Sequence, residues 1–171
     1  MERRSDLPEF APARPAVDVA QWRLVVDGAV EHPLSLTWDD LQAMPQVAVT
    51  DDFRCLEGWV VPDNHWRGVA LAAVLWRAGL QPAARFVLAG AGDYTALLTR
   101  EQAENPAAVL AHSRNGQALT HAHGAPLRLN VPGADCFVQV KWVERLTALV
   151  EPVEPSGPDI AMERLGRGPR C

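Results

Sequence analysis

The sequence predicts one mixed α+β domain. Short β-branched runs alternate irregularly with short amphipathic segments, prolines and Asn-Gly or Gly-rich pairs punctuate them, and 171 residues suit a single core. A chain that is 48% hydrophobic and 22% charged can pack an interior, which excludes disordered, collagen-like and coiled-coil classes. The net charge of −5 argues against a nucleic-acid partner. No apolar run reaches the ~20 residues of a membrane span.

Taken in order, residues 1–20 are rich in Pro and Ala and read as an extended N-terminal arm. Residues 21–150 read as the folded domain. Residues 151–171, with Arg164, Arg167 and Arg170 among prolines, read as a C-terminal tail. Arg3 and Arg4 are not followed by an apolar stretch, so no export signal is read and the expected compartment is cytoplasmic. Within the domain, 22–26 is strand-like and stops at Asp27-Gly28. Thr37 and Asp40 form a capping box for a helix that Pro45 ends. Residues 46–50 are β-branched and strand-like. Leu71, Val74, Leu75 and Ala78 share one face of a helix over 69–79, with Gly79 suited to its C-terminal cap. Residues 85–89 read as a buried strand. Thr99 and Gln102 form a second capping box, and Pro106 limits that helix. Residues 109–114 and 118–119 flank Asn115-Gly116 as a hairpin with a type I′ turn. Residues 127–131 and 137–149 supply the last strands. These units are too irregular for a doubly wound sheet. No dinucleotide fingerprint, P-loop or HExxH motif is present, and Gly90-Ala91-Gly92-Asp93 reads as a plain turn.

Three segments can carry chemistry. Cys55 stands between Arg54 and Glu57 at the end of a strand, where a neighbouring cation would favour the thiolate, a nucleophile and soft-metal ligand. The plain alternative is a buried structural cysteine. In His121-Ala122-His123-Gly124-Ala125-Pro126-Leu127-Arg128, Gly124 and Pro126 fix a turn that lets His123 and Arg128 meet one anion. Alternate histidines with a cysteine are also a zinc pattern, and a polar loop is the plain alternative. Lys141 stands inside an apolar stretch and should reach an edge or an anion. Cys55, Cys136 and Cys171 are odd in number and widely spaced, which is not a disulfide framework.

Together the motifs are far more specific. From about Trp22 to Leu149 the chain resembles the oxidoreductase molybdopterin-binding domain of the sulfite oxidase superfamily. The resemblance rests on Trp22-Arg23-Leu24-x-Val26-x-Gly28, Asp40-Leu41 before Pro45, and Asp52-Phe53-x-Cys55-x-x-Gly58-Trp59. It continues through Trp66-x-Gly68-Val69-x-Leu71, Gly79-Leu80-x-Pro82-x-Ala84-x-Phe86-Val87, His123-Gly124-Ala125-Pro126-Leu127-Arg128-Leu129 and Lys141-Trp142-Val143. It implies a single compact domain of the mixed-sheet sulfite-oxidase type. It also implies a molybdenum–molybdopterin cofactor, with Cys55 as the thiolate ligand of the metal. His123 and Arg128 match the pair that contacts the pterin and its phosphate, where charge-assisted hydrogen bonds are expected. Lys141 falls in the closing segment that lines the cofactor. Glu57 matches a glutamate near the metal in the methionine sulfoxide reductase branch, a proton-handling candidate. Asp93 and Thr95 lie in a further cofactor-contacting stretch. The implied activity is oxygen-atom transfer to or from a small-molecule substrate, with electrons exchanged through a separate protein, since no haem or flavin segment is present.

Three departures from the family pattern matter. A segment that usually reads like Tyr-Gly-x-Lys is Asp135-Cys136-Phe137-Val138 here, which removes one basic contact to the phosphate. Residues 10–15 offer only Arg14 as a polar side chain for the pterin. The basic run that follows the cysteine in sulfite oxidases is Leu56-Glu57-Gly58-Trp59, which makes sulfite a poor first choice of substrate. Two alternatives stay open: a cofactor-free, degenerate member serving as a binding or scaffold module, and metal-free thiol chemistry at Cys55 with Cys136 as resolving thiol.

Overall fold

The computed structural model describes residues 1–9, 15–164 and 166. Arg14, Arg167, Arg170 and Cys171, named above, lie outside them. In chain order come β1 (Glu2–Arg3), β2 (Leu24–Gly28), β3 (Leu34–Leu36), α1 (Trp38–Ala43), β4 (Gln46–Arg54), β5 (Trp59–Ala70) and α2 (Leu71–Ala78). They are followed by β6 (Phe86–Ala91), β7 (Tyr94–Thr99), α3 (Arg100–Glu104), β8 (Val109–Arg114) and β9 (Gln117–Ala118). Last are β10 (Arg128–Asn130), β11 (Arg145–Leu149) and α4 (Gly157–Arg164). The strands form two sheets. One is five-stranded in the order β3-β2-β11-β6-β7. The other is six-stranded, with β1-β5-β8-β10 as its path, β4 beside β5 and β9 beside β8. Mixed parallel and antiparallel pairing with few helices is the predicted fold class.

The capping boxes act as read. Thr37 accepts from the Asp40 amide at 3.0 Å while the Asp40 carboxylate accepts from the Thr37 amide at 2.8 Å. Thr99 and Gln102 do the same for α3. Leu71, Val74, Leu75 and Ala78 are buried along α2, and Gly79 closes it in a left-handed cap. Asn115 and Gly116 both have positive φ, 50° and 78°, as a type I′ turn between β8 and β9 requires. The main core joins α2 to both sheets through Leu24, Val26, Val69, Leu110, Leu129 and Leu146.

The six-stranded sheet is buried on two faces, and the alternation of side chains explains how. In β10 and its flanks, Leu127, Leu129 and Val131 enter the main core. Arg128 and Asn130 turn to the other face, where Leu7, Phe53, Trp59, Val61 and Trp66 form a second apolar cluster. Leu7 and the pairing of Glu2–Arg3 with Trp59 and Val60 tie the N-terminal residues to this face.

Several elements differ from the sequence expectation. β5 runs for twelve residues, yet Pro62, Asn64 and Gly68 hide its alternation. A register shift between Asp51 and Phe53 takes up Pro62, which has no amide to donate. β7 was not anticipated. Residues 137–149 are not continuous strand: Cys136–Val138 is a 3-10 turn and only Arg145–Leu149 pairs in the sheet. Lys141 therefore sits on an isolated bridge to Arg128, with the chain bent by a positive φ of 57° at Trp142. Gly157–Arg164, read as part of a tail, is a helix that packs against β7. Trp76 is 84% exposed, because it lies opposite the buried face of α2. Among the described residues no helix is long and apolar enough to cross a membrane.

Candidate functional site

Cys55 sits in the turn that joins β4 to β5. Its amide donates to the Trp59 carbonyl at 3.0 Å, and Gly58 donates back to the Cys55 carbonyl at 3.0 Å. The thiol is free and half-buried. It faces the Glu57 carboxylate at 3.7 Å, and that carboxylate is held by the Trp59 indole N–H at 2.8 Å. The sequence expectation that Arg54 favours a thiolate is overturned. Arg54 pairs with Asp52 at 3.0 Å, and burial pushes the Cys55 thiol up to about 11, with Cys136 and Glu57 adding to the rise.

Arg128 is the unusual group. Its side chain is buried at 2% exposure, and its Nε has no hydrogen-bond partner. Among the described residues no carboxylate pairs with it. Its Nη1 donates to the His123 carbonyl at 3.2 Å, and its guanidinium lies over the rings of Trp66 and Phe53, 5.2 and 5.4 Å from their centroids. Burial, then the nearby Arg114 charge, holds its pKa down to about 10, so it stays positive at neutral pH. A buried cation without an anion is costly unless a ligand supplies one. Around it, Asn130 leaves both amide atoms unpaired, and Trp66 Nε1, Gln139 Oε1 and Asp51 Oδ2 are likewise buried without partners. Burial also raises the Asp51 carboxyl above its ordinary value.

Gly124 brings the remaining candidates together. At φ 111°, a side chain there would meet the Cα of Lys141 at 3.1 Å and the Cβ of Arg128 at 3.2 Å. His123 lies one residue earlier. Its Nε2–H donates to the Leu7 carbonyl at 3.2 Å, and its Nδ1 meets the Thr120 hydroxyl at 3.1 Å. Lys141 donates to the Ala122 carbonyl at 2.6 Å and lies against Trp142. Cys136, free and half-buried, packs against the same outer-face apolar cluster as Cys55. Cys55, Glu57, His123, Arg128 and Lys141 thus gather on the outer face of the six-stranded sheet. Asp93 and Thr95 do not join them. They belong to the β6–β7 hairpin of the other sheet, where the Asp93 carbonyl and the Thr95 hydroxyl both engage Ser156. Tyr94, between them, reaches the Phe137 carbonyl at 2.7 Å.

The sequence reading missed Arg114, Asn64, Asn130, Asp51 and Gln139. Arg114 donates to Asn64 at 2.6 Å and to Asp6 at 2.5 Å, and lies over Trp66. Asn130 was readable, since it shares a face with Arg128 two residues earlier. Arg114 was not, because a register shift in the pairing of β5 with β8 resets the alternation. The zinc expectation finds no support, because among the described residues no three His, Cys, Asp or Glu side chains gather as a ligand set. A surface cavity of about 560 Å³ lies elsewhere, lined by Glu31, Trp76 and Arg100 among others, and holds none of these groups.

A free thiol, a buried unpaired cation and two side-chain amides with unpaired atoms fit an anionic, hydrogen-bonding cofactor. The class they define is that of a molybdopterin-binding oxidoreductase domain. Comparison with known proteins agrees: residues 11–156 match the model of the oxidoreductase molybdopterin-binding domain, and the chain belongs to that family. It is 33% identical to the uncharacterized oxidoreductase YuiH of Bacillus subtilis, over 74% of this chain and 64% of that one. It is 32% identical to a putative protein-methionine-sulfoxide reductase subunit, YedZ1, of Azospira oryzae, over 76% of this chain and 50% of the relative. The sulfane dehydrogenase SoxCD of Paracoccus pantotrophus superposes with a TM-score of 0.77 at 28% identity, covering 83% of this chain and 41% of its own. The chain therefore spans between about two fifths and just under two thirds of the length of these proteins.

Proposed function

We propose that this domain binds a molybdenum–pterin cofactor, with the Cys55 sulfur as metal ligand, and serves oxygen-atom transfer to or from a small molecule. The observation that carries the proposal is Arg128, a buried guanidinium with an unpaired Nε and, among the described residues, no carboxylate paired with it. When bound, the cofactor supplies oxygen-atom transfer coupled to two electrons. The chain's residues do the rest. Arg128 offers charge and hydrogen bonds to the cofactor's phosphate, and Arg114 adds positive potential nearby. Lys141 and His123, on the turn at Gly124, border the same place. Cys55 offers a soft sulfur suited to such a metal once its proton is displaced. Glu57 lies against that thiol and is the group placed to accept the proton. Phe53, Trp59 and Trp66 keep water from this face. Leu56-Glu57-Gly58-Trp59 brings no cation to the turn after Cys55, which supports a neutral or weakly charged substrate over a dianion such as sulfite. Electrons pass to or from a separate protein.

One observation favours a second reading, a cofactor-free binding module: Val138 is buried at 5% exposure where the family pattern carries a basic residue. Molybdenum by elemental analysis and released pterin by fluorescence decide between the two, after expression in a cofactor-competent host. The proposal expects both near one per chain, and both lost in Cys55→Ser at unchanged far-UV circular dichroism. A folded wild-type chain with neither would overturn it.

A further inference from the structure

We propose that residues 1–9 are a strap closed over the outer face of the six-stranded sheet, latched by Asp6 on Arg114, and that it opens to admit and release the cofactor. The inference rests on the functional reading of that face. The strap touches three parts of the site: the chain leaving the Cys55 turn, Arg114 on β8, and His123. At its start, Glu2 donates its amide to the Gly58 carbonyl at 2.9 Å, and Arg4 donates to the Val60 carbonyl at 2.8 Å. The Arg4 guanidinium stacks on Trp59, 4.6 Å from the ring centroid, and Arg54 reaches the Met1 sulfur at 3.6 Å. Further along, the Asp6 carboxylate accepts from the Arg114 guanidinium at 2.5 Å. Leu7 then sinks to 6% exposure in the cluster of Phe53, Trp59, Val61 and Trp66, and its carbonyl accepts from His123 at 3.2 Å.

These contacts are those of a lid rather than of a core element. Only Glu2 and Arg3 pair as strand, so few backbone bonds break when the segment lifts. Leu7 and the ion pair hold it down. The pair is asymmetric, with the Arg114 side chain 9% exposed and the Asp6 side chain 66% exposed. Asp6 therefore returns to water when it lets go, while Arg114 stays anchored on Asn64 at 2.6 Å. The Asp6 oxygen that meets Arg114 also accepts from the Leu7 amide at 2.7 Å, which couples latch and apolar anchor in one turn. Arg128 lies over Phe53 and Trp66, two rings of the cluster that Leu7 joins, and is 2% exposed with the strap in place. Lifting Leu7 opens the way to that guanidinium, and closing it seals what has bound there.

The test compares the full chain with Asp6→Asn, which keeps the oxygen for the Leu7 amide but loses the charge on Arg114, and with Leu7→Ala. Three rates are read. The first is trypsin cleavage after Arg4 in the cofactor-free chain, followed by intact mass. The second is uptake of molybdenum–pterin cofactor released anaerobically from a donor protein. The third is release of pterin from the loaded chain, followed by fluorescence of its oxidised form. The strap predicts that all three rise together, by about threefold to fivefold in Asp6→Asn and about tenfold in Leu7→Ala. Affinity should stay nearly constant, because uptake and release pass through the same opening. Wild-type rates in both variants would overturn the strap. Faster uptake with slower release would overturn it too, for Asp6 would then be a competitor of the bound anion and not a latch. Faster cleavage in chains that never retain pterin would sink the functional reading and the strap's role with it, whereas pterin retained at wild-type rates throughout sinks the strap alone.

Discussion

The two faces of the six-stranded sheet are built from the same strands and differ in almost everything else. On the inner face, Leu110, Leu129 and Val69 meet α2 and the five-stranded sheet in an aliphatic core. Among the described residues, none of the buried unpaired side-chain polar atoms belongs to the five-stranded sheet or to α2. On the outer face, one residue further along each strand, lie Arg128, Asn130, Asp51 and Trp66, each with a buried atom left unpaired. Such groups cost free energy in the folded chain. One face of the sheet is therefore optimised for stability, while the other holds a cost that a bound anionic ligand would offset.

The contrast can be broken by substitution. The largest effect falls on the outer face: Cys55→Ser should remove essentially all bound molybdenum while leaving the melting temperature of the cofactor-free chain nearly unchanged, as elemental analysis and calorimetry would read. On the inner side, Leu146→Ala in β11 should do the reverse. It should cost about 2–5 kcal/mol, roughly 4–20 °C in Tm, without lowering metal per folded chain. Thr37→Ala removes the side-chain cap of α1 and should cost about 1 kcal/mol by denaturant titration. The smallest effect is at Asp51. Burial raises its folded pKa, so stability is full below the ordinary carboxylate range and falls as pH rises through the raised value. Asp51→Asn should lift the cofactor-free Tm by a degree or two at neutral pH, about the size of a small surface change, and by nothing below about pH 3.5.

Much of the inner face was legible in sequence. The i, i+3, i+4, i+7 pattern of α2, both capping boxes and the Asn-Gly turn are local signals, and each produced its element. The outer face was legible where motifs are contiguous, as at Cys55 and at His123 to Arg128. It was hidden where the geometry is non-local. Pro62 and Asn64 obscured β5, and a register shift set the facing of Arg114. The meeting of residues 55 and 136 at one apolar cluster, and the pairing of Asp6 with Arg114, depend on sheet closure that no local pattern encodes.

The central claim is that the outer face carries unpaired charge because it is made to receive an anion. The most direct measurement is the melting temperature of Arg128→Met against wild type, both free of cofactor, with pterin retention measured alongside. A neutral side chain of similar length relieves the buried charge at the loss of one hydrogen bond and the ring contacts. The account predicts a cofactor-free Tm within about 2 °C of wild type or above it, together with loss of the pterin. A Tm lower by more than about 5 °C would contradict it, for Arg128 would then be a structural residue already satisfied by its own protein.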